Sequence, residues 1–174
     1  MQIYKLISVL LEYPDRELLD HLPEIREAID KNHDIDATEK AAMQKFIDHL
    51  ANTPLTELQA SYVQTFDLTP EHSLHLTHHL FSDDNDRNRG PALIDLGELY
   101  KEYGVKVMTN ELPDYLPLVL EFAAGLEQNE AAIFLSDANK VLGVLATNLA
   151  KANSPHAPLL SIIESRATLI RLAA

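Results

Sequence analysis

The sequence predicts an all-α fold, a single helical domain over residues 1–174. Three observations carry that expectation. Apolar residues recur three and four positions apart in segment after segment, the period of a helix with one buried face. No segment alternates apolar and polar residues as a half-buried strand would. Proline, aspartate and glycine punctuate the chain where helices need start and stop signals. A domain of this length buries roughly 70% of the surface its unfolded chain exposes, so it folds without a metal or disulfide.

The elements follow in order. Ile3, Leu6, Ile7, Leu10 and Leu11 form the stripe of a first helix, closed by Tyr13-Pro14-Asp15. Leu18, Leu19 and Leu22 mark a second segment, interrupted at Pro23, and Ile25, Ala28 and Ile29 continue the pattern. Asp36 followed by Glu39 reads as a variant capping box for a helix carrying Met43, Phe46, Ile47 and Leu50. Thr53-Pro54 reads as a cap with proline at the first helical position, opening a helix through Leu58, Tyr62 and Phe66. Thr69-Pro70 repeats that signal and predicts one helix through Leu74, Leu76, Leu80 and Phe81. Residues 82–91, SDDNDRNRGP, are a charged loop. A helix is expected from Pro91 through Tyr100 and Tyr103, with Gly104 as its stop.

The most constrained run is Glu111–Glu121, ELPDYLPLVLE. Proline fixes its own φ and biases the residue before it away from the helical region. The chain is expected to arrive extended, turn at Pro113 and enter a helix capped by Asp114, with Pro117 in its first turn. Beyond it, Asn129 is read as the cap of a helix with Ala132, Ile133 and Leu135. A further long helix carries Val141 to Leu149 and ends near Asn153-Ser154-Pro155. The last helix, with Leu159, Ile162, Ile163, Leu169 and Ile170, runs to Ala174 without a stop signal, which predicts that the natural chain continues.

Composition narrows the function. Cysteine is absent, which excludes disulfides, thiolate metal sites and a cysteine nucleophile and fits a reducing cytoplasm. No apolar run approaches the ~20 residues of a membrane span. The N-terminal MQIYKLISVLLEYP has one lysine and no small-residue cleavage site, so it reads as a helix rather than a signal peptide. The net charge of −13 disfavours nucleic acid and anionic membranes as direct partners. It favours a basic partner through electrostatic steering. There is no phosphate loop, no dinucleotide fingerprint and no nucleophile elbow.

One constellation invites a metal. On a continuous helix His72, His75 and His79 would share a face. With Asp83 or Asp84 they would make a helical metal-dependent hydrolase conceivable. The competing reading is polar histidine beside a cleft, and Asp83, Asp84 and Asp86 read as a solvated loop. The aromatic pairs Tyr62/Phe66 and Tyr100/Tyr103, the proline-built corner and the acidic surface point instead to a groove for a basic amphipathic helix. A generic helical scaffold is the remaining alternative.

The motifs also carry a resemblance. Leu10–Asp15 (LLEYPD), Tyr62-x-x-x-Phe66-Asp67, Ser73-Leu74-x-Leu76-x-x-His79, Arg89-Gly90-x-Ala92-Leu93-Ile94-Asp95-Leu96, Tyr100-x-x-x-Gly104 and Glu111-Leu112-Pro113-Asp114-x-Leu116-Pro117-Leu118 occur in this order. Together they resemble the NarJ family of respiratory nitrate reductase assembly chaperones, within the wider TorD/DmsD group. The resemblance implies an all-helical bundle of the TorD-like type, with no catalysis and no cofactor or metal of its own. It implies a cytoplasmic chaperone that binds the N-terminal segment of the catalytic nitrate reductase subunit until the molybdenum cofactor is inserted. Carried over by position, Leu112, Pro113, Asp114, Leu116 and Pro117 are one wall of the peptide site. Tyr62, Phe66, His79 and Tyr100 belong to the groove or to the core behind it. Two positions depart from the pattern: Tyr115 stands where many relatives have histidine, and Asn88 where an acid usually precedes the Arg-Gly pair.

Overall fold

A computed structural model describes residues 2–81, 87–106 and 110–171, with side chains to residue 168. The expectations for Asp83, Asp84 and Asp86, and for the side chains of Leu169 and Ile170, lie outside the described residues. The described chain is helical: α1 (Gln2–Leu10), α2 (Arg16–Asp20), α3 (Leu22–Lys31), α4 (Ala37–Asn52), α5 (Leu55–Tyr62), α6 (Leu76–Leu80), α7 (Arg89–Glu102), α8 (Leu116–Gly125), α9 (Gln128–Lys151) and α10 (Ala157–Arg171). Helices α1, α4, α8, α9 and α10 surround the main core, where Ile3, Ile7, Ile47, Leu120, Leu145 and Leu160 pack together. The apolar face of α1 lies against α8, and α9 against α10.

Several local signals act as read. Tyr13-Pro14-Asp15 separates α1 from α2, and the Asp15 carboxylate, to which the sequence assigned no cap, accepts the Leu18 N–H at 2.8 Å and caps α2. Asp36 and Glu39 form the reciprocal capping box of α4. Glu39 also takes a two-pronged ion pair from Arg166 Nε and Nη2, each at 2.6 Å, tying α10 to α4. Gly104 adopts φ +74. Its N–H bonds the Lys101 carbonyl and that of Val105 the Tyr100 carbonyl, the crossed pair of a Schellman ending.

Five expectations are corrected. Pro54, with extended backbone, occupies the cap position and α5 starts at Leu55, while Thr53 closes α4. Helix α5 then loosens into a π-helical turn, Val63–Asp67, which still buries Phe66. The predicted helix after Pro70 is broken. A single 3-10 turn, Pro70–His72, gives way to extended Ser73, and α6 begins only at Leu76. The cause is tertiary: the backbone of 74–76 pairs with 114–116 in an antiparallel bridge, His75 opposite Tyr115. Leu116 N–H donates to Leu74 O at 2.8 Å and Leu76 N–H to Asp114 O at 3.1 Å. Helix α7 starts at Arg89, so Pro91 stands inside its first turn, where it costs no intrahelical bond. The two helices expected after Asn129 are one helix, α9, entered at Glu127.

Candidate functional site

The bridge is the partition around which the site is built. Asp114 and Tyr115, successive residues of extended chain, face opposite sides of it, while along the other segment the side changes between His75 and Leu76. On one side Leu76, Thr77 and Asp114 line a groove; on the other His75 and Tyr115 line a smaller cavity. The groove, about 580 Å³, runs between α6, α7, α8 and α9. Its walls are apolar, including Leu80, Leu96, Leu99, Val119, Phe134 and Val141. Its polar groups are acids: Asp95 of α7, Asp114 at the corner and Asp137 of α9 line it together with Thr77.

Asp114 does not cap its own helix, as sequence predicted; α8 starts behind Tyr115 with no side-chain cap. The carboxylate turns to α6 instead. Its Oδ2 accepts the Thr77 N–H at 2.9 Å and the Thr77 hydroxyl at 2.6 Å. Thr77 is the second residue of α6, whose N-terminal N–H groups lack intrahelical acceptors. Asp114 therefore caps a helix far from it in sequence. Arg89 Nε donates to the Thr77 hydroxyl at 3.1 Å, bringing α7 into the same network. The residue is 1% exposed, and Oδ1 has no hydrogen-bond partner among the described residues. An unpaired buried acceptor costs about 1–3 kcal/mol, which a donor arriving in the groove would recover.

The other predicted residues divide into groups. Leu112 lies at the surface, 41% exposed, and Pro113 is half-buried. Leu116 is at 0% exposure in the main core. Pro117 is buried and its carbonyl accepts the Ser8 hydroxyl at 2.7 Å, fixing α8 on α1. Tyr100 is buried under the corner: its hydroxyl donates to Pro113 O at 2.7 Å and its ring packs on Phe122 at 4.6 Å. Burial, with Asp114 nearby, raises its pKa. Tyr62 and Phe66 lie across the partition, lining the smaller cavity. The Tyr62 hydroxyl donates to Leu11 O at 3.0 Å and sits 3.1 Å from that of Tyr115; burial raises the pKa of both tyrosines.

The histidine face is not formed, because the helix it needed is broken. His72 is in the 3-10 turn, His75 in the bridge and His79 in α6. His79 Nε2 donates to Ser73 O at 2.8 Å and His75 faces Glu111 at 3.4 Å. Burial pushes the His79 pKa down. Among the described residues no three histidine or acidic groups converge on a metal position.

Asp95, Asp137, Phe134 and Thr77 were not foreseen as site residues. Asp137 left a signal: Phe134, Ala138 and Val141 share a helical stripe, and an acid within it marks a face not wholly given to core. Thr77 left none, since its role depends on a carboxylate thirty-seven residues away.

Comparison with known proteins adds an independent line. Residues 32–161 match the family described as Nitrate reductase delta subunit. The chain is 35% identical over 158 residues to the Escherichia coli (strain K12) nitrate reductase molybdenum cofactor assembly chaperone NarJ, covering 91% of this chain. It spans 66% of that relative's length. It is 32% identical to a Bacillus subtilis protein assigned the same role, over 92% of this chain and 85% of that one. Its fold resembles a crystal structure from Archaeoglobus fulgidus of a protein assigned to redox enzyme maturation. The TM-score is 0.65 at 18% identity, over 93% of this chain and 90% of the other.

Proposed function

The chain belongs to the nitrate reductase delta subunit family, and from that membership we propose that it is an assembly chaperone for a nitrate reductase, a binding protein rather than a catalyst. Its ligand is the N-terminal segment of the catalytic subunit, held as a basic amphipathic helix until the molybdenum cofactor has been inserted. It works in the cytoplasm, before the enzyme reaches its membrane. Among the described residues no helix is long and apolar enough to cross a membrane.

The observation that carries this reading is the buried Asp114 carboxylate, with one oxygen unpartnered, in an apolar groove that also holds Asp95 and Asp137. An apolar helix face suits the walls, and lysine, arginine or N-terminal N–H donors suit the acids. Burying one leucine contributes about 1.5–3 kcal/mol. Ordering a flexible segment costs about 2–5 kcal/mol. Two or three apolar anchors therefore suffice. Of the predicted wall only Asp114 lines the groove; Leu112 and Pro113 lead the chain into the corner, which Tyr100 and Pro117 fix by hydrogen bonds and Leu116 by burial. Tyr62, Phe66 and His79 support the partition.

The test is calorimetric titration with a synthetic peptide of the catalytic subunit's N-terminal residues. Asp114→Asn keeps an acceptor for Thr77 and replaces the free oxygen with an amide NH₂. Saturable binding to the native chain, weakened tenfold or more in this variant at unchanged helicity, is the expected result. Binding indifferent to the variant would move the site. No binding by the native chain to the peptide or to the apo-subunit would overturn the function.

A further inference from the structure

Across the partition from the groove lies the smaller cavity, about 210 Å³. Four aromatic side chains line it, Tyr13, Tyr62, Phe66 and Tyr115. The rings are braced edge to face: Tyr13 on Tyr62 at 5.4 Å and Tyr62 on Phe66 at 4.8 Å. The Tyr62 and Tyr115 hydroxyls are engaged with each other and with Leu11 O, so the rings keep their places without a ligand. Two carboxylates, Asp67 and Glu111, share the lining, and a third, Glu12, lies next to Tyr115. Among the described residues no lysine or arginine lines the space, and the basic group that does is His75, 3.4 Å from Glu111.

We propose that this cavity is a receptor for one cationic side chain, an arginine or lysine of a bound partner protein. Aromatic rings attract a cation through their negative faces, and the attraction grows where water is thinned. Carboxylates beside the rings add direct charge pairing and, for arginine, a planar acceptor. Size limits the occupant. Pockets for drug-sized ligands run to about 300–1,000 Å³, so this one suits a single long side chain and not a helix. Charge excludes an anion, and no lysine or arginine among the described residues occupies the lining. An arriving cation takes Glu111 from His75. The proposal rests on the cavity alone and stands whether or not a peptide occupies the groove.

The test is an NMR titration of the native chain with N-acetyl-arginine amide, following the Tyr13 and His75 ring signals. N-acetyl-norleucine amide, of similar reach and no charge, is the control. Two variants address the two halves of the chemistry: the pair Asp67→Asn with Glu111→Gln, and Tyr13→Leu at an exposed position that leaves the core intact. The expected result is a saturable shift with the arginine probe, at least fivefold weaker with norleucine and at least fivefold weaker in each variant. Equal response to the two probes would overturn the proposal, as would an arginine response unchanged in both folded variants. Because the probe is a single amino acid, failure here leaves the groove peptide experiment untouched, and the reverse also holds.

Discussion

His156 shows how one buried side chain sets a response of the whole fold. It is 7% exposed and packs against Phe46 and Phe66, with ring centroids at 4.9 and 4.8 Å. Burial, and to a lesser extent His49, pushes its pKa down to about 3. An unfolded histidine titrates near ~6.5. Between those values the unfolded chain holds a proton that the folded chain refuses, so stability rises with pH across this window and is lost on acidification. The slope from one such group is at most about 1.4 kcal/mol per pH unit. His79, also lowered by burial, acts in the same direction. Glu12 acts against them: partial burial and the charges of Glu111 and Glu121 raise its pKa, so its contribution declines as pH rises through the usual carboxylate range. His156→Phe keeps an aromatic ring in an aromatic pocket and removes the titration. Urea midpoints measured from pH 4.5 to 6.5 should then depend less steeply on pH than in the native chain. Parallel profiles for the two proteins would assign the acid sensitivity elsewhere.

At the scale of elements, the Thr77 hydroxyl registers three of them. It donates to Asp114 at the entrance of α8, receives Arg89 of α7, and belongs to α6. Helix α6 is only five residues long and its cap position, His75, offers no side-chain cap, so it depends on this network. Thr77→Val preserves shape and removes both hydroxyl bonds. A bond to a charged group contributes about 1.5–3 kcal/mol, and a loss of that order should appear in the urea midpoint, with weaker binding of the groove peptide. A stable variant with native peptide affinity would show that the hydroxyl bonds are dispensable and that the backbone N–H bond to Asp114, with packing, holds α6. The same network explains what the sequence could not reveal. The capping box of Asp36 and Glu39 was legible because the chain places both partners within one turn. The break at Ser73 was not, because the pairing of 74–76 with 114–116 competes with a local helix signal at Thr69-Pro70 and wins. The imagined histidine face followed from that one misreading.

For the whole molecule, the helical class was legible because helical periodicity is local and repeated in almost every segment. The groove was legible only at Asp114, whose proline neighbours marked the corner; its other walls come from four helices far apart in sequence. Its charge, however, follows from composition, and that permits a prediction about kinetics. The net charge is −13, and Asp95 and Asp137 in the groove are exposed while Asp114 is buried. Exposed charge acts at long range and steers encounter, whereas a buried, hydrogen-bonded charge acts after docking. Stopped-flow association of the basic peptide should therefore slow tenfold or more as ionic strength rises and the screening length falls from ~30 Å at 0.01 M to ~3 Å at 1 M. Dissociation should change little over the same range. Asp95→Asn with Asp137→Asn should flatten the salt dependence of association, while Asp114→Asn should speed dissociation and leave that dependence in place. An association rate indifferent to salt would remove steering from the mechanism. The groove would then capture its ligand by apolar contact, and the acidity of the chain would serve solubility alone.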